Sequence, residues 1–188
     1  MSSAMEWLEE VFDNGFSVTF AEGLEARELL LRLGCDAESL EMIDQEDAEE
    51  RQLEDDDVTM IRAGVHDGWA FAVQAWGARV FGDGVLEKVS AGTRALAVVS
   101  TASIPWFTYC EDTDEVCGFD PGMPWIRHGS DPDRFDSVMA EVGLNPSAQT
   151  PEPGSVAGML KLAERAFGVG LPYEDVVTEE LLGGVVPE

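Results

Sequence analysis

The chain has 188 residues, with 38 Asp plus Glu against 11 Lys plus Arg and a formal net charge of −27. Such a surface repels phosphate backbones and anionic lipid, which excludes direct nucleic-acid binding and membrane attachment and leaves a basic protein as the expected partner. Hydrophobic residues still make up 45% and fall in periodic blocks, unlike those of a disordered acidic tail.

From the N-terminus, Met5 to Phe12 has the spacing of a short amphipathic helix ended by Asn14-Gly15. Phe16 to Phe20 alternates as a half-buried strand does, and Gly23 to Leu33 returns to helical spacing with Gly34 as its stop. Asp36 to Asp57 is strongly acidic and is opposed only by Arg51. Within it Gln45 to Asp57 reads as a mobile loop or frayed helix, because neighbouring carboxylates repel. Its Glu46, Asp47, Glu49, Glu50, Glu54, Asp55, Asp56 and Asp57 form either a solvated insertion or the docking strip of a basic partner.

Val58 to Gly64 and Trp69 to Trp76 are expected to pair around His66-Asp67-Gly68, and Val85 to Ser90 to form a short helix ending near Gly92. Arg94 to Thr101 has the apolar run of a central strand buried on both faces. Trp106 to Glu111 and Glu115 to Asp120 read as a second hairpin, and Asp133 to Val142 as a helix capped by Ser130 or Asp131 with Pro132 at its first position. Pro146, Pro151, Pro153 and Gly154 mark residues 146–154 as a linker. Ser155 then caps a helix to Phe167, and Leu171 to Glu188 is a helical turn followed by a Gly183-Gly184 tail.

The expected fold is α+β: a mainly antiparallel sheet of about five or six strands with helices on one face. Residues 1–145 are expected to form the domain, and 155–188 a helical appendage that docks after the linker. No apolar run approaches the roughly 20 residues of a membrane helix, and Glu6, Glu9 and Glu10 stand where a signal peptide is basic, so a cytoplasmic location is expected. The odd set Cys35, Cys110 and Cys117 argues against a disulfide framework. Cys110 and Cys117 can face each other across their hairpin, but the plainer reading is buried thiols. Only His66 and His128 supplement them as ligands, and the Asp112, Asp114, Glu115 turn lacks the EF-hand pattern, so neither metal nor cofactor is expected.

Two motifs carry the candidate chemistry. Ser90-Ala-Gly92-Thr93-Arg94 reads structurally as a helix stop followed by an arginine that pairs with a carboxylate. Functionally it is an anion or partner contact, since Gly exposes N–H groups next to hydroxyls and an Arg. His128-Gly-Ser130-Asp131-Pro132 suits a helix cap better than a catalytic triad. An enzyme site near Arg94, His128 and Asp131 is the alternative. Trp76 and Trp125 lie near strand ends, where exposure suits an interface anchor.

These motifs also carry a resemblance. Leu86 to Arg94, Phe107-Thr-Tyr109, Glu111-Asp112, Val116 to Pro121 and His128 to Pro132, in that order, resemble an actinobacterial domain family of unknown function. The likeness covers about residues 5–145 and implies a small acidic α+β protein with a Ser-x-Gly-Thr-Arg turn and a Gly-Ser-Asp-Pro helix entry. It differs at Asp112-Thr-Asp114-Glu115, a longer turn than the family's Asp-Gly. The resemblance implies no activity. The expected function is therefore a non-enzymatic acidic interaction module, immunity-like or antitoxin-like, that neutralises or regulates a basic protein. A DNA mimic that inhibits a nucleic-acid-binding protein is a further alternative.

Overall fold

Phe16, Val18 and Phe20 alternate with Ser17, Thr19 and Ala21, and the same large-and-small rhythm recurs in Trp69 to Gln74 and in Arg94 to Val99. Strand geometry sends the large set to one face of a sheet and the small set to the other. The computed structural model describes residues 3–55, 57–102, 105–150 and 155–187. Its elements are α1 (Trp7–Val11), β1 (Phe16–Glu22), α2 (Ala26–Arg32), β2 (Glu41–Ile43), α3 (Gln45–Glu54), β3 (Thr59–His66), β4 (Trp69–Ala75) and α4 (Val85–Val89). They continue with β5 (Arg94–Ser100), β6 (Pro105–Glu111), β7 (Asp114–Phe119), β8 (Arg127–His128), α5 (Asp136–Glu141), α6 (Val156–Phe167), α7 (Tyr173–Val177) and β9 (Leu181–Val186).

Among the described residues, nine strands form one sheet in the order β2-β9-β3-β4-β1-β5-β6-β7-β8. Every pairing is antiparallel. The α+β class and antiparallel sheet agree with the sequence; the strand number does not. Helices cover both faces rather than one. The large face packs Phe16, Phe20, Phe71, Phe107 and Tyr109 against Leu8 of α1, Met139 of α5 and Leu160 of α6. The small face packs Ala21, Ala72, Ala95 and Ala97 beneath Leu29 and Leu30 of α2 and Leu86 and Val89 of α4. Alanines there let two short helices lie close to the strands. This double cover explains why β1, expected to be half-buried, is buried on both sides except at Glu22.

The segment after the linker was expected to be helical. It contributes α6, and it also contributes β9, an interior strand paired with both β2 and β3. Gly183 and Gly184 belong to that strand and are required by close packing, because a Cβ on Gly183 would lie 2.4 Å from Ile43 and one on Gly184 2.7 Å from Leu40. Ser155 caps α6 as expected, its Oγ accepting from the Gly158 N–H at 2.9 Å. Of the linker, Pro151, Pro153 and Gly154 lie outside the described residues.

The Gly-Ser-Asp-Pro stretch is not a helix entry. Ser130 and Asp131 continue the pairing of β8 with β7, their N–H groups donating to Glu115 O and Val116 O at 2.9 Å each. Helix α5 begins only at Asp136, with no side-chain cap. Gly129 permits the close approach, since a Cβ there would lie 2.3 Å from Val116 O. The hairpin turn is tighter than expected: Asp112 and Thr113 alone bridge β6 and β7, both at positive φ (42° and 71°). A bulge at Tyr109/Cys110 sends Cys110 to the small face and Cys117 to the large one, so the two thiols do not face each other. Burial pushes the Cys35 and Cys117 thiols up to about 12 and raises that of Cys110 as well. All three are poor nucleophiles at neutral pH.

Candidate functional site

The Ser90 to Arg94 turn joins α4 to β5, and the structure places its polar groups against the chain's own partners. Gly92 N–H donates to Asp112 Oδ1 at 2.8 Å, so the anion in this cradle is a side chain of the neighbouring hairpin turn. Ser90 Oγ accepts from Thr113 N–H at 3.0 Å, and Thr93 Oγ1 donates to Glu22 O at 2.7 Å. Arg94 Nε and Nη2 donate to the two oxygens of Glu22 at 2.5 and 2.9 Å, with the guanidinium 5.2 Å from the Trp69 ring centroid. This bidentate pair holds the Glu22 carboxyl below the usual carboxylate range and raises the arginine further.

Register extends the row. Arg94 lies opposite Glu111, and Glu111 opposite Asp114. Tyr109 Oη donates to Glu111 at 2.5 Å, Arg134 bridges Glu111 (3.2 Å) and Asp131 (2.6 Å), and Ser130 Oγ donates to Asp114. Arg94, Tyr109, Glu111, Ser130 and Asp131, from separate motifs of the sequence, thus meet at one end of the sheet in an ion-pair ladder on the large face. His128 is not part of it. Its ring lies on the small face, 5.4 Å from Trp106, with Nε2 2.7 Å from Glu115. The sheet therefore separates His128 from Arg94, and Asp131 is engaged by Arg134, so the three residues of the enzyme alternative do not converge.

The acidic segment differs most from expectation. Gln45 to Glu54 is neither a mobile loop nor frayed; it is the regular helix α3. Asp44 caps it, accepting from the Asp47 N–H at 2.8 Å, and Glu46 and Asp47 in the first turn face the positive end of the helix dipole. Ala48 is buried, and Gln52 anchors the last turn by donating to Ala75 O (2.9 Å) while accepting from Met60 N–H (3.2 Å). Those few contacts put the carboxylates outside. Glu46, Asp47, Glu50, Glu54, Asp55 and Asp57 are exposed and Glu49 half-buried, while Asp56 lies outside the described residues. Arg51 is engaged by Glu41.

Trp76 lies beside this helix. It ends β4 at a φ of 56°, with its N–H donating to Gly15 O at 2.9 Å. Its half-buried ring lines an open groove of about 490 Å³ together with Leu53, Val58, Ala78 and Arg79. Leu53 is 68% exposed. An acidic helix and an open groove of mixed polar and apolar lining that contains a tryptophan thus adjoin. Trp125, the other expected anchor, lies in the β7–β8 connection at the β8 edge of the sheet, with four strands between β8 and β4.

Glu50 and Glu54 do not serve the fold. Glu46, Glu50 and Glu54 stand at successive i,i+4 positions, where like charges destabilise a helix, and Glu54 lies at the negative end of the dipole. A Glu50→Gln/Glu54→Gln variant is therefore expected to melt about 2 °C higher than the wild type at low salt. Differential scanning calorimetry checks this, and a lower midpoint would mean the carboxylates hold the fold together.

Among the described residues no helix is long and apolar enough to cross a membrane. A family model described as a family of unknown function, DUF6461, matches residues 3–188, so the likeness runs beyond residue 145 and takes in α6, α7 and β9. No curated protein and no solved structure matches the chain.

Proposed function

The chain belongs to DUF6461, a family of unknown function, and we propose that this member is a non-enzymatic acidic interaction module for a basic protein. Its role is that of an immunity-like or antitoxin-like neutraliser or regulator. One observation carries the reading: α3 holds an ordered, mutually repelling row of carboxylates beside the groove of Trp76 and Leu53. A charged row steers encounter with an oppositely charged protein, and a tryptophan with a neighbouring aliphatic side chain supplies the short-range contact. Helical order matters because the partner then meets a preformed strip and the chain loses little conformational entropy on binding.

Affinity capture from native lysate tests this, with wild type and the Glu50→Gln/Glu54→Gln variant side by side at low and moderate salt. The expected result is a basic protein held by the wild type, released as salt rises, and depleted with the variant. Identical capture by both chains would remove α3 from the interface and the proposal with it.

A further inference from the structure

On the small face α4 roofs only part of β5 and β6. Beyond its edge the short side chains Ala97, Val99 and Thr108 form the floor of a cleft of about 230 Å³. Its walls are aromatic. Phe81 and Trp106 meet edge to face at 5.7 Å, and Trp106 lies 5.4 Å from His128 with the rings inclined by 37°. Gly118 makes room for that imidazole, since a Cβ there would lie 2.8 Å from the His128 ring.

The charge in this cleft is unbalanced. Asp83, Glu87 and Glu115 line it, and no Lys or Arg does among the described residues. Glu115 is paired with His128. The Asp83 and Glu87 carboxylates have neither an ion pair nor a hydrogen bond with any described residue, although Glu87 is half-buried at the start of α4. A partly desolvated carboxylate without a cation is a cost that a bound cation would relieve. Drug-sized ligands occupy about 300–1,000 Å³, so this smaller space suits one side chain.

The geometry points to a receptor site for a single arginine side chain presented by the basic partner. Its guanidinium stacks on Trp106 and hydrogen-bonds the Glu87 and Asp83 carboxylates. A planar fork satisfies both demands at once, whereas a lysine ammonium supplies the charge without the stacking plane. The inference rests on the basic-partner reading of the whole chain, but it concerns a cleft that no residue of α3 lines.

The test is a titration of the full chain with N-acetyl-arginine amide, followed by the Trp106 indole N–H signal in ¹H–¹⁵N spectra. N-acetyl-citrulline amide is the uncharged control of matched shape. The arginine probe is expected to shift the Trp106 signal saturably and to bind about tenfold more tightly than the citrulline probe. Glu87→Gln, a replacement of nearly the same size and shape, is expected to weaken the arginine probe by about tenfold. Equal responses to the two probes, an unshifted Trp106, or an unchanged affinity in Glu87→Gln would each overturn the site. The Glu50→Gln/Glu54→Gln chain separates the two readings. It should bind the probe normally even where it no longer captures a basic protein. Probe binding in the cleft with no basic protein captured by the wild type would keep the cleft and remove the wider proposal.

Discussion

A chain cut after Thr150 is expected to lose cooperative folding altogether. The removed segment carries Met159, Leu160, Leu162, Val169, Leu171, Val176, Leu181 and Val186, each at least nine-tenths buried. Each such side chain is worth about 1.5–3 kcal/mol, so the loss is about 12–24 kcal/mol against a total stability of about 5–15 kcal/mol. The Phe167 ring also leaves Trp69, Tyr109 and Phe135, which it meets at 6.1, 4.7 and 5.4 Å. Removing β9 separates β2 from β3 and bares the β3 edge. Circular dichroism melts and dye binding should show a non-cooperative state with exposed apolar surface. A sharp melting transition in the cut chain would mean that residues 155–188 are a true appendage.

Replacing Arg62 by Leu is expected to cost about 2–5 kcal/mol, or roughly 10 °C in thermal midpoint. Arg62 is 5% exposed and makes no ion pair with any described residue. Instead its guanidinium donates to Ile43 O (3.3 Å), Val176 O (2.9 Å) and Glu179 O (3.1 Å). One side chain thus joins β2, the C-terminal turn of α7 and the approach to β9. Burial pulls its pKa down to about 10, while the Asp44 and Glu49 carboxylates oppose the shift, so it remains charged at neutral pH. Leucine would leave the buried Ile43 and Val176 carbonyls, and the partly buried Glu179 carbonyl, without this donor. Chemical denaturation reads the effect, and a loss below about 1 kcal/mol would show that water takes over these carbonyls.

Elements that carry their own periodicity are legible in the amino-acid sequence alone. The β3–β4 hairpin, the doubly buried β5 and the capped α6 each combine an apolar rhythm with a local turn or cap. What escapes depends on neighbours. β9 contains Gly183-Gly184, which looks like a tail until Ile43 and Leu40 are seen to fill the space a Cβ would need. β2 is three residues long and begins with an exposed Glu41, so it has no strand signature without β9 beside it. Arg62 carries no local signal of burial, because the carbonyls that receive it come from Ile43, Val176 and Glu179, all distant in the chain.

The candidate site is legible in part. Trp76 and the acidic segment stand out separately in the sequence, and the fold brings them to one groove. The segment's order does not stand out, because carboxylate repulsion is obvious in the sequence while its compensations are not. Asp44 is a cap only if a helix starts there, and Gln52 is a clamp only once β3 and β4 pair. The Trp106 and His128 cleft is hidden for a similar reason. His128 follows Trp106 by more than twenty residues, and only the β6–β7–β8 order puts the rings together on one face.

The most direct measurement is the affinity of the captured basic protein for the wild type and for Glu50→Gln/Glu54→Gln, by calorimetric titration at low and physiological salt. Binding should weaken as salt rises, and the variant should bind about tenfold more weakly than the wild type while folding at least as stably. Equal affinities for the two chains, unmoved by salt, would contradict an α3 surface held in order for a cationic partner.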